Sequence, residues 1–115
     1  MSENHDDERE QQGEARVMHP EGRLDVALAP AFREQVKRLL DAGSTKLIID
    51  LGGVSFVDSS GLGTILVGLK LARRAGGDIR IVRPPPQFKA LLQLTSVSRF
   101  LTVYPSVEDA LVDFD

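Results

Sequence analysis

Apolar residues recur along this chain in two rhythms, and the alternation between them predicts its elements. Leu28, Phe32, Val36, Leu39 and Leu40 fall at helical spacing with Arg33, Glu34, Lys37, Arg38 and Asp41 opposite, and Gly43 follows as a stop. That spacing predicts an amphipathic helix. Leu47-Ile48-Ile49, within the run 46–51, reads as a buried strand; Leu62, Ile65, Leu66 and Leu69 mark a second helix ending at Gly76-Gly77. Ile79-Arg80-Ile81-Val82 is a further strand, Pro84-Pro85-Pro86 opens a short helix carrying Phe88, Leu91 and Leu92, and 100–104 is the next strand. Ser106-Val107-Glu108-Asp109 has the form of a capping box before a final helix at 110–114, with Asp a weaker partner than Glu in that role. Upstream, 16–24 reads as a strand interrupted by His19-Pro20, which suits a sheet edge because proline has no N–H to donate to a ladder. Alternating strands and helices with short connections predict an α/β fold. Its centre is a mostly parallel sheet of about four strands with an edge strand, flanked by about four helices.

Composition sharpens this picture. At 115 residues, 42% hydrophobic and 5% aromatic, the chain fits one small domain with an aliphatic core and leaves no room for a second. No apolar run reaches bilayer length, and the first six residues lack the basic and hydrophobic regions of a signal peptide, so a cytoplasmic location is expected. The absence of Cys excludes disulfides and thiolate sites, and two His in unlike settings make no ligand cluster. No metal and no cofactor is expected. The formal charge of −3 is unevenly spread: residues 1–14 hold Glu3, Asp6, Asp7, Glu8, Glu10 and Glu14 against Arg9, a net of −5, leaving the body from Ala15 onward near +2. Between Met1 and Val17 there is no large apolar residue, so burial cannot offset the entropy of ordering the segment. Residues 1–14 are therefore expected to form a disordered acidic arm ahead of a domain at 15–115.

The chemistry concentrates at Asp58-Ser59-Ser60-Gly61-Leu62-Gly63, where the strand pattern gives way to helical periodicity. Two hydroxyls then lie at a helix N-terminus, whose unpaired N–H groups and positive dipole end favour an anion. A phosphate on Ser59 or Ser60 would thus be held by the backbone. By spacing alone the same residues are good helix caps, and Gly61 and Gly63 either relax the turn or let a partner approach. Other chemistries fit poorly. A serine hydrolase needs a His base, but His5 lies in the arm and His19 precedes a proline. Gly52-Gly53 and Gly61-Leu62-Gly63 match neither dinucleotide nor Walker spacing, and Lys70 lies two helical turns past the loop. Arg73, Arg74, Arg80 and Arg83, without interleaved aromatics, read as a solvated face rather than a nucleic-acid stripe.

The run Val54 to Gly63, with Gly22-Arg23-Leu24-Asp25 upstream and Ala75-Gly76-Gly77-Asp78 downstream, resembles the STAS domain of bacterial anti-sigma factor antagonists over roughly residues 16–114. The resemblance implies that the protein is not an enzyme and that Ser60, the second Ser of the Asp-Ser-Ser-Gly motif, is a phosphoacceptor. The implied partners are an anti-sigma factor of the GHKL-type Ser kinase class, which phosphorylates Ser60, and a phosphatase that reverses the step. Only the unphosphorylated form would hold the anti-sigma factor and release a sigma factor for transcription. Asp25, Asp58, Ser59, Ser60, Gly61 and Leu62 are the implied partner-binding residues, with no direct nucleic-acid contact and no membrane insertion. The alternative is a structural STAS subunit of a transporter-associated or signalling complex, indifferent to phosphorylation. Two departures from the family stand out. The polar edge strand usual near the N-terminus has no pattern here, and Thr95-Ser96 replaces a pair ending in Gly, which predicts a slightly different turn.

Overall fold

The computed structural model describes residues 15–114; the acidic arm expected at 1–14 lies outside the described residues. In chain order the elements are β1 (Arg16–Met18), β2 (Gly22–Leu24), α1 (Ala29–Asp41), β3 (Lys46–Asp50), β4 (Val54–Val57) and α2 (Ser59–Arg74). They continue with β5 (Asp78–Val82), α3 (Pro86–Leu94), a 3₁₀ turn (Ser96–Arg99), β6 (Thr102–Tyr104) and α4 (Val107–Leu111). Strands β1, β3, β5 and β6 lie side by side in that order, all parallel. β2 and β4 form a second parallel pair. The neighbours β1 and β3 both break after a few residues, at His19-Pro20-Glu21 and at Leu51-Gly52-Gly53. Each chain then resumes beside the other as β2 and β4, with the Gly22 N–H donating to the Gly53 carbonyl at 2.9 Å. The interrupted strand expected at 16–24 is thus two strands of two sheets. β4 has no separate signal in the sequence, where 54–57 only continues the apolar run.

The pleat sends Leu47, Ile49, Ile79 and Ile81 to one face, where Phe32, Val36, Ile65, Leu69 and Phe88 from α1, α2 and α3 cover them. Ile48 and Val82 point the other way, against Ala110 and Phe114 at the C-terminus. Most of these side chains are fully excluded from solvent. Each of the larger ones, Ala110 excepted, stabilises the fold by roughly 1.5–3 kcal/mol relative to exposure. Two helix ends follow the predicted signals: Ser106 Oγ accepts the Asp109 N–H at 3.1 Å, although the helix it starts runs over Val107–Leu111 and not over 110–114, and Gly76 closes α2 at φ +89°. Gly77 then lies flat against the Thr45 carbonyl, where a Cβ would collide with it. The turn after α3 does differ from the glycine form: Thr95 is extended (φ −121°, ψ 162°) and its hydroxyl donates to the Leu92 carbonyl at 3.2 Å.

Three of the four basic residues expected on a solvated face are intramolecular clamps. Arg80 donates to the Ala110 and Val112 carbonyls at 2.8 Å each, tying down the end of α4, and stacks over the Phe114 ring at 4.2 Å. Arg73 reaches Asp78 Oδ1 at 3.1 Å and the Phe100 carbonyl at 2.9 Å. Arg83 grips the buried Asp50 through Nε at 3.2 Å and Nη2 at 2.6 Å, at the carboxyl ends of β5 and β3. Apart from Asp78, five residues beyond Arg73, their partners lie 27 to 33 residues away, so composition alone assigned them to solvent.

Burial pushes the Asp50 carboxyl up, but the hydrogen bonds from Arg83 and the Gly52 N–H, with the charges of Arg83 and His19, outweigh it and hold it below the ordinary value. A depressed carboxyl contributes stability above its unfolded pKa and loses it as pH falls through the folded one. Arg83→Met is expected to lower stability at neutral pH, by less than the loss of a fully buried pair because the Arg83 side chain is 58% exposed. The gap between variant and wild type should narrow as pH falls below 3.8, the ordinary value for Asp50. Urea unfolding at neutral and acid pH checks this, and an equal gap at both would assign the loss to packing instead.

Candidate functional site

The serine motif sits where β4 runs into α2. Asp58 is the N-cap, with extended backbone (φ −96°, ψ −172°), and its Oδ1 accepts the Ser60 N–H at 2.8 Å and the Gly61 N–H at 3.1 Å. Asp therefore performs the capping that the sequence shared among Asp58, Ser59 and Ser60. This corrects one expectation. Two of the helix's unpaired N–H groups are already taken by a carboxylate, so a phosphate on Ser60 would meet Asp58 instead of an empty backbone cradle.

With capping assigned to Asp58, the serine hydroxyls are released from it. Ser59 is exposed and Ser60 half-buried, and among the described residues neither hydroxyl makes a hydrogen bond. Both border a shallow groove whose walls are Val26, Ala29, Pro30 and Arg33 on one side and Gly63 and Val67 on the other. The groove continues between α1 and α2 past Lys37 to Leu71. Val26, Val67 and Leu71 are 71%, 52% and 42% exposed. An apolar strip of this kind around a free hydroxyl is a feature of contact surfaces. Val67 and Leu71 lie one turn apart on α2, outside the stripe that fills the core, so the helical period carried a signal for them.

Gly61 and Leu62 do not belong to that surface. Both are buried, because helical spacing turns them towards the core with Ile65 and Leu69. A Cβ on Gly61 would lie 2.5 Å from the Leu24 carbonyl and 3.1 Å from Val57 Cγ1, so its smallness serves the approach of β2 rather than of a partner. Gly63, by contrast, faces open space. Asp25 lies one residue beyond Leu24, whose carbonyl also accepts the Asp58 N–H at 3.2 Å, so the turn before α1 is tied to the serine turn. Asp25 caps its own turn, Oδ1 accepting the Ala27 N–H at 3.1 Å and its carbonyl the Ala29 N–H at 2.8 Å, with Arg23 Nε 3.7 Å from Oδ2.

One contributor was absent from the sequence reading. The Gln87 side chain, at the start of α3, accepts the Val57 N–H at 2.9 Å and donates to the Val57 carbonyl at 2.8 Å. Nothing local marks a glutamine as the partner of a residue 30 positions away.

A parallel α/β domain that offers two free serine hydroxyls beside an exposed apolar groove has the build of a binding module. His19, among the described residues the one His, lies beside Asp50, with Nδ1 3.6 Å from Oδ2. The chain belongs to the STAS-domain family, whose profile matches residues 8–110. Its sequence is 29% identical over 82 residues to the anti-sigma-B factor antagonist of Bacillus subtilis, covering 71% of this chain and 74% of that one. The crystal structure of an anti-sigma factor antagonist from Mycobacterium paratuberculosis superimposes with a TM-score of 0.76 at 25% identity, covering 87% of this chain and 85% of the other. A Thermotoga maritima protein provisionally given the same designation superimposes with a TM-score of 0.82 at 27% identity, covering 87% and 86%. Among the described residues no helix is long and apolar enough to cross a membrane.

Proposed function

We propose that this protein is an anti-sigma factor antagonist in which phosphorylation of Ser60 switches partner binding off. The observation that carries the proposal is the division of labour at the helix start: Asp58 alone caps α2, leaving the Ser60 hydroxyl without an internal partner at the mouth of an exposed apolar groove. The names of the sequence relatives supply the partner class, an anti-sigma factor, here one of the GHKL-type Ser kinase class, with a phosphatase restoring the hydroxyl. The unphosphorylated surface of Asp25, Ser59, Ser60, Val26 and Val67 would receive the anti-sigma factor and so free a sigma factor. Phosphorylation adds about −1.5 to −2 charge to a helix start already occupied by the Asp58 carboxylate. The dianion is thereby directed outward into the interface, and the fold is left nearly unchanged. A switch of this kind acts in the cytoplasm, where ATP and the transcription machinery are.

Incubation with the cognate kinase and ATP is expected to add one phosphate, localised by peptide mass spectrometry to Ser60, and Ser60→Ala to abolish it. Modification confined to Ser59, or none by a kinase shown to bind, would overturn the assignment.

A further inference from the structure

We infer that Gln87 is a positioning residue for the serine switch, acting as a side-chain substitute for a missing strand. β4 is paired on one side by β2, which leaves the opposite edge of its last residue to be satisfied by other means. At Val57, fully buried, one primary amide fills both roles: Oε1 accepts the N–H at 2.9 Å and Nε2 donates to the carbonyl at 2.8 Å, as a neighbouring strand residue would. Asp58 follows directly, and its N–H is held from the other side by the Leu24 carbonyl at 3.2 Å. The Val57–Asp58 link is thus gripped from both edges immediately before the cap that orients Ser60. Gln87 is itself well anchored. Pro85 and Pro86 set the backbone at the start of α3, and the adjacent Phe88 is fully buried. Of the twenty side chains only Asn, Gln and a protonated Asp or Glu present a donor and an acceptor in this fork, and Gln has the length used here.

The consequence depends on the proposed role of Ser60. Phosphoryl transfer requires the hydroxyl to meet the phosphorus in line, and a displacement of about 1 Å can cost on the order of 100-fold in rate. Releasing Val57 should therefore lower the turnover of Ser60 phosphorylation more than it weakens encounter with the kinase.

Two variants of the full chain test this. Gln87→Met keeps the volume and removes both hydrogen bonds. Gln87→Glu keeps the acceptor, but its ionised carboxylate opposes the Val57 carbonyl, so the protonated form is favoured and the carboxyl pKa rises. In the isolated protein, NMR is expected to show at least tenfold faster amide exchange at Val57 for Gln87→Met, with shifted Ser60 and Gly61 amide signals and an otherwise unchanged spectrum. For Gln87→Glu the same signals should return towards wild type as the pH falls through that raised pKa, a recovery that Gln87→Met cannot show. With the kinase, Gln87→Met at neutral pH should lower kcat for phosphate incorporation at least tenfold while moving KM less than about threefold. Wild-type exchange and Ser60 shifts in Gln87→Met, or a uniform loss of structure without pH recovery in Gln87→Glu, would overturn the positioning role. Absence of Ser60 phosphorylation in the wild type would instead defeat the switch reading, and the NMR measurements would still decide the role of Gln87.

Discussion

Ser60→Asp is expected to weaken binding to the anti-sigma factor by about 100-fold or more, roughly 2.7 kcal/mol, while Ser60→Ala stays within about threefold of wild type. The asymmetry follows from the site. The hydroxyl makes no internal hydrogen bond, so removing it leaves nothing unpaired, and the Asp58 cap that holds α2 is untouched. A carboxylate at position 60 instead places a second negative charge one turn-width from Asp58 and at the edge of the apolar strip of Val26 and Val67. A partner seated there would have to desolvate that charge without compensation. In cells the two variants should give low and constitutive sigma-dependent transcription, respectively. Isothermal calorimetry against the purified anti-sigma factor decides, and equal affinities for both variants would end the switch proposal while leaving the fold assignment intact.

Gly61→Ala should be the most disruptive single methyl group at the site. The added Cβ would stand 2.5 Å from the Leu24 carbonyl, an obstacle made of backbone that cannot rotate away. Overpacking of this kind costs on the order of 3 kcal/mol. In a domain of this size that lowers Tm by about 12 °C or more. Relief requires β2 to separate from the start of α2, which would also loosen the Asp58 N–H bond to Leu24 and the turn carrying Asp25. Gly63→Ala, two residues on in the same helix, makes the contrast: its Cβ would meet open space, so better helix propensity should raise stability by up to about 1 kcal/mol. Thermal melts of the pair test the reading that Gly61 serves internal packing and Gly63 the exposed surface. A harmless Gly61→Ala would reverse it.

The sequence by itself determined the order of the helices and of strands β3, β5 and β6, and the face that the longer ones bury. These follow from local periodicity: Phe32 and Val36 on α1, Ile65 and Leu69 on α2, and the apolar runs of β3 and β5 sit where the pattern put them. The serine turn was legible for the same reason, since caps and glycines act on their nearest neighbours. The family motif added that Ser60 is the residue to watch. What only the tertiary structure decided depends, apart from the local choice of Asp58 as the cap, on groups brought together from distant positions. Asp58 took the cap outright, so the expected anion cradle is filled by the protein's own carboxylate. Leu24 claimed the space over Gly61, turning a supposed access point into a packing contact. Arg80 and Arg83 found partners about thirty residues away. The run at 54–57 became a strand because β2 lay alongside it, and Gln87 completed its far edge. Such pairings are fixed when the sheet closes. Hydrogen-bond capacity is written in each residue, whereas the identity of its partner is set by the path of the chain through space.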